Sequence, residues 1–171
     1  MNSSAATANS SSVATTVWTA SALQTLSLDA ANQAPVIQSD QAQPMSPELD
    51  VWDAWPLADS SGNPVEWREG ELWFALAVPR AEDPEQRHHM ARIHHFHRLD
   101  DRFQHIGQTL PEALSPGARQ WSGSAKLEDG TVTLYFTAAG RKGDQTLTYH
   151  QRIYATQAKL TDDGQFAEWS A

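Results

Sequence analysis

Apolar and polar residues alternate along most of the chain from Glu48 onward, in short segments separated by turn-forming residues. Alternation with a period of two is typical of half-buried β-strands, and no long stretch has the spacing of an amphipathic helix. The pattern predicts six strands, over residues 51–57, 71–78, 89–99, 122–127, 131–138 and 146–156. Closely spaced strands without long helices between them predict an antiparallel all-β fold, as in a sandwich, a barrel or a propeller.

Two groups of turn-forming residues separate these strands. Residues 59–64 read Asp-Ser-Ser-Gly-Asn-Pro, and Glu128-Asp129-Gly130 lies between two alternating segments. Asp-Gly in such a place is a strong hairpin signal, because both central residues of a type I′ turn need a positive φ. The second group therefore predicts an antiparallel hairpin between residues 122–127 and 131–138.

The N-terminal quarter of the chain has a different composition. Residues 1–16 are small and polar, with one valine and no aromatic residue. We predict that they are disordered, because so little apolar area cannot offset the entropy of ordering. A four-residue repeat of apolar side chains predicts a short helix over 18–28, which Thr19 or Ser21 would cap. Three prolines predict an extended linker over 33–47.

Composition and charge restrict the function classes. The 171 residues are 40% hydrophobic and 19% charged, which suits one globular domain. Twelve basic and 21 acidic residues give a net charge of −9, so the basic surface that nucleic-acid binding needs is missing. No apolar run is long enough to span a bilayer, and the N-terminus lacks the basic and apolar regions of a standard signal peptide. Cysteine is absent, which removes disulfides and thiolate metal sites.

Seven tryptophans are many for a chain of this length. Two interpretations apply to each of five of them, Trp52, Trp55, Trp67, Trp73 and Trp121. A tryptophan in a β-protein is commonly part of the core. Tryptophans also form aromatic platforms for sugars, whose C–H faces pack on the rings while the hydroxyl groups bind carboxylates and arginines.

Asp53 differs from the other carboxylates because its neighbours are apolar. In a regular strand Val51, Asp53 and Trp55 share one face, which would place the carboxylate between two large apolar side chains. Burying a charge there is unfavourable without a partner or a function. Asp53 is therefore either a functional carboxylate or a buried hydrogen-bond acceptor, whereas Asp50 is interpreted as a solvated or capping residue.

Five of the seven histidines lie between His88 and His97. On a strand, His95 and His97 would share a face, as histidine pairs in some metal sites do. No carboxylate lies within this run. We therefore interpret the run as part of a structural strand, and we predict neither a metal ion nor another cofactor.

Several strings along the chain together resemble one enzyme family. The longest is Leu49-Asp50-Val51-Trp52-Asp53-Ala54-Trp55-Pro56-Leu57. The others are Val17-Trp18-Thr19 with Ala22-Leu23, Gln120-Trp121-Ser122-Gly123-Ser124-Ala125, Leu134-Tyr135-Phe136-Thr137 and Gln145-Thr146-Leu147-Thr148. In this order and spacing they resemble the start of the catalytic domain of glycoside hydrolase family 68, the bacterial levansucrases, inulosucrases and related β-fructofuranosidases. The resemblance covers roughly residues 17–160 and is closest to the levansucrases.

The resemblance implies a five-bladed β-propeller whose central acidic pocket binds sucrose. It also implies that Asp53 is the nucleophile and that Trp52 shapes the fructosyl subsite. Trp121 and Ser122 are expected in the sucrose pocket, with the Ser122 hydroxyl steadying the nucleophile carboxylate. The implied activity is retaining transfer of a fructosyl group from sucrose to fructan or to water. Sucrose and a fructan acceptor are therefore the expected partners, with no nucleic acid and no membrane.

Two segments of the family pattern do not occur in this sequence. One is an Arg-Asp-Pro segment whose Asp stabilises the transition state, and the other is an Asp-x-x-Glu-Arg segment whose Glu is the acid/base. Arg80-Ala81-Glu82-Asp83-Pro84 has a different residue order and precedes Trp121. We therefore expect residues 17–171 to form about two N-terminal blades, with the C-terminal blades absent and the chain inactive alone.

Two other function classes stay open at this point. A non-catalytic sugar-binding β-domain would use the tryptophan-rich face without an acid/base. A structural or secreted interaction protein would share only the local strings and would not respond to sucrose. The resemblance itself implies an extracellular protein, because family members act on extracellular sucrose.

Overall fold

The computed structural model describes residues 19–25, 33–143 and 148–170. The chain divides into two units, Met1–Ala42 and Gln43–Ala171. In the described part of the first unit there is one short helix, α1 (Ala20–Gln24).

The described part of the second unit contains nine strands and one helix. The strands are β1 (Leu49–Ala58), β2 (Glu66–Trp67), β3 (Gly70–Pro79), β4 (Arg92–Leu99), β5 (Arg102–Gln108), β6 (Arg119–Glu128), β7 (Thr131–Ala139), β8 (Gln151–Leu160) and β9 (Phe166–Ser170). The helix α2 (Arg87–Met90) lies between β3 and β4, and single 3-10 turns cover Pro84–Gln86 and Glu112–Leu114. Neither helix in the described ranges has the length and apolar character that a membrane crossing requires.

The strands form two antiparallel blades. In the sheet order β5-β4-β3-β1-β6-β7-β8-β9, β1 and β6 are central. The first blade consists of β1, β3, β4 and β5, with β2 paired to β3, and the second consists of β6 to β9. The blades meet where Leu57 pairs with Ala125 and Ala58 with Lys126, in parallel. Four-stranded blades with adjacent first strands are the repeat of a propeller, so the structure has the predicted all-β architecture of about two blades.

Both blades contribute to one apolar core. Leu57, Phe74 and Leu76 come from the first blade and Leu134 and Phe136 from the second, and all five are at most 2% exposed. Each such side chain stabilises the fold by about 2 kcal/mol on burial. Because the core spans β1, β3 and β7, it holds the first blade against the second.

The six predicted strands correspond to β1, β3, β4, β6, β7 and β8, with ends that differ by up to five residues. Residues 146 and 147 of the last predicted strand lie outside the described residues. The prediction missed β2, β5 and β9. In β5 the apolar Phe103 and Ile106 are three residues apart, and a bulge opposite His95 and Phe96 breaks the alternation.

The prediction of one strand over 89–99 is wrong at its start, because Arg87–Met90 is helical and β4 begins only at Arg92. The helix signal is the Asp-Pro-Glu string at 83–85. The Asp83 carboxylate accepts the backbone N–H of Glu85 at 3.0 Å, and proline is favoured directly after such a cap. The histidine run therefore divides between a helix and a strand.

The predicted hairpin joins β6 to β7. Asp129 and Gly130 both have a positive φ, 49° and 71°, and they connect the paired residues Glu128 and Thr131. This is the backbone that a type I′ turn needs. The hairpin prediction is therefore confirmed.

The helix predicted over 18–28 is observed as α1, with Thr19 as its N-cap. The Thr19 side chain accepts the backbone N–H of Ala22 at 3.1 Å. Trp18 and residues 26–28 of that prediction, like residues 1–16, lie outside the described residues. The linker predicted over 33–47 contains no helix or strand.

A β-bulge interrupts β1 at Asp53. Trp52 pairs with Leu76 and Trp55 with Phe74, so Asp53 and Ala54 together oppose a single residue of β3. Trp52 and Trp55 consequently pack against the same core, although they are three residues apart. The expectation that Val51 and Trp55 share a face is wrong, because Val51 packs against a separate cluster on the other side of the sheet.

A second bulge interrupts β6 at Ser122. Trp121 pairs with Thr137 and Gly123 with Phe136, so Ser122 is the extra residue. At the parallel contact between the blades, Leu57 of β1 pairs with Ala125 of β6. Asp53 lies four residues before Leu57, and Ser122 lies three residues before Ala125. Both bulges therefore lie at the same end of two neighbouring strands.

Position 123 requires glycine because β7 approaches it closely. A Cβ there would lie 1.8 Å from the carbonyl oxygen of Tyr135 and 2.8 Å from the Cα of Phe136. We expect Gly123→Ala to push β6 away from β7 and to lower the free energy of unfolding by about 2 kcal/mol or more. Urea unfolding followed by tryptophan fluorescence measures this loss.

Gly107→Ala is the matched control, because a Cβ at Gly107 would meet nothing closer than 3.9 Å. Its free energy of unfolding should stay within about 1 kcal/mol of the parent. Equal losses in the two variants would contradict the close approach of β7 at the β6 bulge.

Candidate functional site

A cleft of about 420 Å³ lies at the contact between the two blades. Its lining consists of Trp52, Asp53, Leu76, Arg87, His88, Trp121 and Ser122. These residues come from β1 and β3, from α2, and from β6. All four site residues predicted from the sequence therefore line one cleft, although they lie up to 70 residues apart in the chain.

The bulge in β1 determines how Asp53 is presented. Asp53 has a φ of 50° and an exposed side chain. The left-handed conformation costs a residue other than glycine about 1 kcal/mol, and Asp is among those that tolerate it best. The expectation of a carboxylate enclosed between two apolar side chains is therefore wrong. The structure instead places the carboxylate at the open side of the cleft.

The β6 wall of the cleft is formed by Trp121 and Ser122. The Trp121 side chain is half-buried and the Ser122 side chain is exposed, since the bulge turns Ser122 out of the ladder. Among the described residues there is no hydrogen bond between Ser122 and Asp53. The steadying of the carboxylate by the Ser122 hydroxyl stays a prediction.

The sequence did not single out Arg87 and His88 as cleft residues. The His88 ring lies edge-on to Trp52 with 5.7 Å between ring centroids, and the Arg87 guanidinium lies 5.4 Å from the centroid of the same Trp52 ring. His88 was treated only as the first residue of the histidine run, and Arg87 lies just before that run and before the strand predicted over 89–99. The helix signal at Asp83 is the observation that separates them from β4.

Two hydrogen-bond donors at the cleft have no protein acceptor. The Nε1 of Trp121 and the Nε of Arg87 are buried and lack a hydrogen-bond partner among the described residues. A buried N–H without an acceptor is unfavourable by about 1 to 3 kcal/mol.

Asp50 does not line this cleft. Its carboxylate lies 3.9 Å from the Nε of Arg80, and both side chains are partly exposed. Such a surface ion pair contributes little, about 0 to 1 kcal/mol. Asp50 thus has the solvated character expected for it, and it serves as a control for Asp53.

Trp55, Trp67 and Trp73 make contacts within the first blade. Trp55 stacks on Phe74 at 6.1 Å, and Trp67 lies edge-on to His97 at 5.0 Å. Trp73 donates from its Nε1 to Glu71 at 2.7 Å. The core interpretation applies to Trp55 and Trp67, which pack against the main core, and Trp52 packs against that core while it also lines the cleft with Trp121.

The strand histidines make separate structural contacts on both faces of β4. The Nδ1 of His94 lies 2.9 Å from the Nε2 of His105. On the other face, the Nδ1 of His95 lies 3.1 Å from the Oγ1 of Thr109. Among the described residues no group of three or more His, Asp or Glu side chains is arranged to hold a metal ion.

Burial keeps two of these histidines neutral. Burial, with smaller contributions from the charges of His105 and Arg92, lowers the pKa of His94 to about 4. Burial and then the charge of His105 lower the pKa of His95 to about 4 as well. The proton is excluded because burial disfavours the charged imidazolium and the neighbouring positive charges add to that effect.

The fold and the cleft define a class of protein, a β-propeller portion with a tryptophan-lined cleft that presents one carboxylate at the contact between blades. The family model described as Levansucrase/Invertase, glycoside hydrolase family 68, matches residues 7–166. The chain belongs to this family, as the resemblance predicted.

Known proteins of this kind match the chain over part of their length. An extracellular sucrase of Zymomonas mobilis is 32% identical over 126 residues, which cover 71% of this chain and 30% of that protein. A levansucrase of Rahnella aquatilis is 30% identical over 142 residues, which cover 71% and 34%. This chain therefore spans about a third of the length of the curated relatives that it matches.

A solved structure shows the same fold. The inulosucrase from Halalkalicoccus jeotgali bound to kestose superposes with a TM-score of 0.69 at 30% identity, covering 80% of this chain and 35% of that one. The predicted partial propeller is thus confirmed.

The half-buried His94 and the buried His95 predict a loss of stability in acid. A histidine in the unfolded chain has a pKa near 6.5, whereas the pKa values of His94 and His95 are about 4 in the folded chain. Between these values the unfolded chain binds protons that the folded chain does not, so the free energy of unfolding falls as the pH drops from about 6.5 to about 4.

His95→Phe removes one of these groups and keeps a ring against Phe166, which lies 5.0 Å from His95. We expect this variant to lose less stability than the parent between pH 7 and pH 5. Urea midpoints at several pH values measure the difference. Parallel pH profiles for parent and variant would contradict the protonation argument.

Proposed function

We propose that this chain supplies the nucleophile half of a sucrose-cleaving fructosyltransferase, with Asp53 as the nucleophile. The observation that carries the proposal is the meeting of Trp52, Asp53, Trp121 and Ser122 in one cleft between two propeller blades. Membership of the Levansucrase/Invertase family supports sucrose as the substrate class.

The proposed reaction is a double displacement. The Asp53 carboxylate attacks the anomeric carbon of the fructosyl unit, and the bond to the glucose oxygen breaks as that oxygen takes a proton from a carboxylic acid. The resulting fructosyl ester on Asp53 is then attacked by a fructan hydroxyl or by water, which gives its proton to the same acid/base group. Two inversions leave the anomeric configuration retained.

The cleft has the features that the first step needs. Asp53 is exposed at the open side, so a sugar can approach its carboxylate without a rearrangement of the backbone. Trp52 and Trp121 offer ring surface for the C–H face of the sugar. The Arg87 guanidinium lies against Trp52 at the cleft and carries further N–H donors, as sugar hydroxyl groups require.

We propose that the acid/base carboxyl group is supplied by a part of the propeller outside the 171 residues. Retaining enzymes of this type hold their two carboxyl groups about 5 Å apart. Neither the Arg-Asp-Pro nor the Asp-x-x-Glu-Arg segment of the family occurs in the sequence. The remaining propeller blades would bring both, and the chain alone should therefore bind sugar without turning sucrose over.

The names of relatives support the choice of partners and location. Relatives are named extracellular sucrase and levansucrase, and a structural neighbour is an inulosucrase bound to kestose. By extension we propose sucrose and a fructan acceptor as partners and an extracellular site of action for this protein.

Asp53→Asn tests the proposed nucleophile, in a protein that joins this chain to the remaining family blades. Asparagine keeps the shape and tolerates the φ of 50°, but it lacks the charge and the nucleophilicity. We expect kcat for sucrose cleavage to fall on the order of 10⁴-fold, about 5 kcal/mol of activation free energy. The melting temperature should stay close to that of the parent.

Asp50→Asn is the control, since Asp50 lies on the same strand but outside the cleft. Its kcat should stay within a few-fold of the parent. Equal, mild effects of both substitutions would show that Asp53 is not the nucleophile. Sugar binding with full affinity and no turnover in the joined parent protein would instead favour the non-catalytic sugar-binding domain.

A further inference from the structure

Gln120 is the residue of β6 that immediately precedes the cleft residues Trp121 and Ser122. It is fully buried, with 0% of its surface exposed. Its side-chain Oε1 has a hydrogen-bond partner, whereas its Nε2 is buried without one among the described residues. The bond through Oε1 therefore offsets only part of the unfavourable burial of this amide.

The hydrogen bonds of Gln120 run to the other blade. Its backbone N–H donates to the carbonyl oxygen of Ala91 at 3.0 Å. Its side-chain Oε1 accepts the backbone N–H of Ile93 at 2.9 Å, in a fully buried contact. Gln120 thus holds both ends of the segment 91–93, the segment in which α2 ends and β4 begins.

Arg92 adds hydrogen bonds from the segment 91–93 back to residues that precede β6. Its Nη1 donates to the carbonyl oxygen of Ala118 at 2.9 Å, just before β6, and to that of Ala91 at 3.0 Å. Its Nε donates to Glu112 at 3.0 Å. Residues 91–93 and 118–120 are therefore joined by side chains from both sides.

This link lies between the two halves of the cleft wall. Helix α2 ends at Met90, one residue before the segment 91–93. Its residues Arg87 and His88 contact Trp52. One residue after Gln120 is Trp121. A shift of β6 against the 91–93 segment would therefore move these two walls of the cleft relative to each other.

We propose that Gln120 is a positioning residue for the sugar cleft, and this rests on the proposed function of that cleft. Through its contacts with Ala91 and Ile93 it holds the end of α2 in place, and with it the contacts of Arg87 and His88 with Trp52. These α2 residues share the cleft lining with Trp121 and Ser122. Gln120 itself does not line the cleft. Its effect on sugar binding is exerted through the geometry of the residues on either side.

Three substitutions separate the hydrogen bond from the volume of the side chain. Gln120→Met keeps the length and removes the acceptor for the Ile93 N–H. Gln120→Glu keeps an oxygen acceptor at that point. Gln120→Asn keeps the amide but is one methylene too short to reach Ile93, and it replaces the Met variant if that variant fails to fold.

Thr156→Val is the matched control. It removes one side-chain hydrogen bond of a buried residue, from the Thr156 Oγ1 to the Ser170 carbonyl oxygen at 2.6 Å. Thr156 lies on β8, two strands away from β6. The control therefore costs the chain a hydrogen bond without touching the link between the blades.

Two measurements on the full chain test the proposal. The first is the nuclear Overhauser contact between the His88 and Trp52 rings, whose centroids lie 5.7 Å apart. The second is the dissociation constant for sucrose from a ligand-observed NMR titration. Urea midpoints measured in parallel show how much stability each variant loses.

We expect Gln120→Met to weaken or abolish the ring contact and to raise the dissociation constant about tenfold. Thr156→Val should keep the contact and stay within about twofold in affinity at a similar loss of stability. Gln120→Glu should restore both readouts, because burial disfavours the charged form, so the carboxyl group stays protonated and its carbonyl oxygen still accepts the Ile93 N–H. Equal behaviour of the Gln120→Met and Thr156→Val variants would overturn the proposal.

The two proposals fail in different ways. A parent chain that does not bind sucrose would contradict the proposed function, and the ring contact would still decide the role of Gln120. A parent chain that binds sucrose, together with a Gln120→Met variant that keeps both the ring contact and the affinity, would leave the function standing and refute the positioning role.

Discussion

Trp52 and Trp55 lie three residues apart on one strand, and both pack against the same apolar core. A regular strand would send them to opposite faces. The strand resolves this conflict with an extra residue, and the residues displaced from the ladder are Asp53 and Ala54. Burial of two large rings thus drives the backbone distortion that presents the carboxylate. The neighbouring strand β6 has a similar bulge directly after Trp121, where the extra residue is Ser122.

The backbone strain at Asp53 is small compared with the stabilisation from the packed tryptophans beside it. The positive φ of Asp53 costs about 1 kcal/mol, whereas full burial of a large apolar side chain contributes about 1.5 to 3 kcal/mol, and two partly buried rings, Trp52 and Trp55, share this gain. Across the cleft, Gly123 permits the close approach of β7 that the second bulge requires. The hydrogen bonds of Gln120 then join β6 to the segment 91–93 that follows α2. Core packing, backbone geometry and hydrogen bonding therefore converge on the same few residues.

Much of the fold was predictable because strand alternation and turn chemistry are local signals. The hairpin at Asp129 and Gly130 and the strands β1, β3, β6 and β7 followed from them. The bulge at Asp53 was not predicted, because regular alternation was assumed throughout this strand. Trp52 and Trp55 are three residues apart, and only a bulge lets both pack against the same core. Arg87 and His88 were missed because no helix was predicted before the strand over 89–99, whereas α2 covers Arg87–Met90. The partners of Gln120 depend on tertiary contacts between residues 27 and 29 positions apart, which no local pattern indicates.

The grouping of Trp52, Asp53, Trp121 and Ser122 followed from the family resemblance, while their individual roles stay predictions. The central claim, that Asp53 forms the covalent link to the sugar, has a direct test. A protein that joins this chain to the remaining blades would be mixed with sucrose, quenched with acid during turnover, digested and examined by mass spectrometry. The account predicts one added fructosyl unit on the peptide containing Asp53, localised to that carboxylate by fragmentation. A fructosyl unit on a different carboxylate, with Asp53 unmodified, would contradict it.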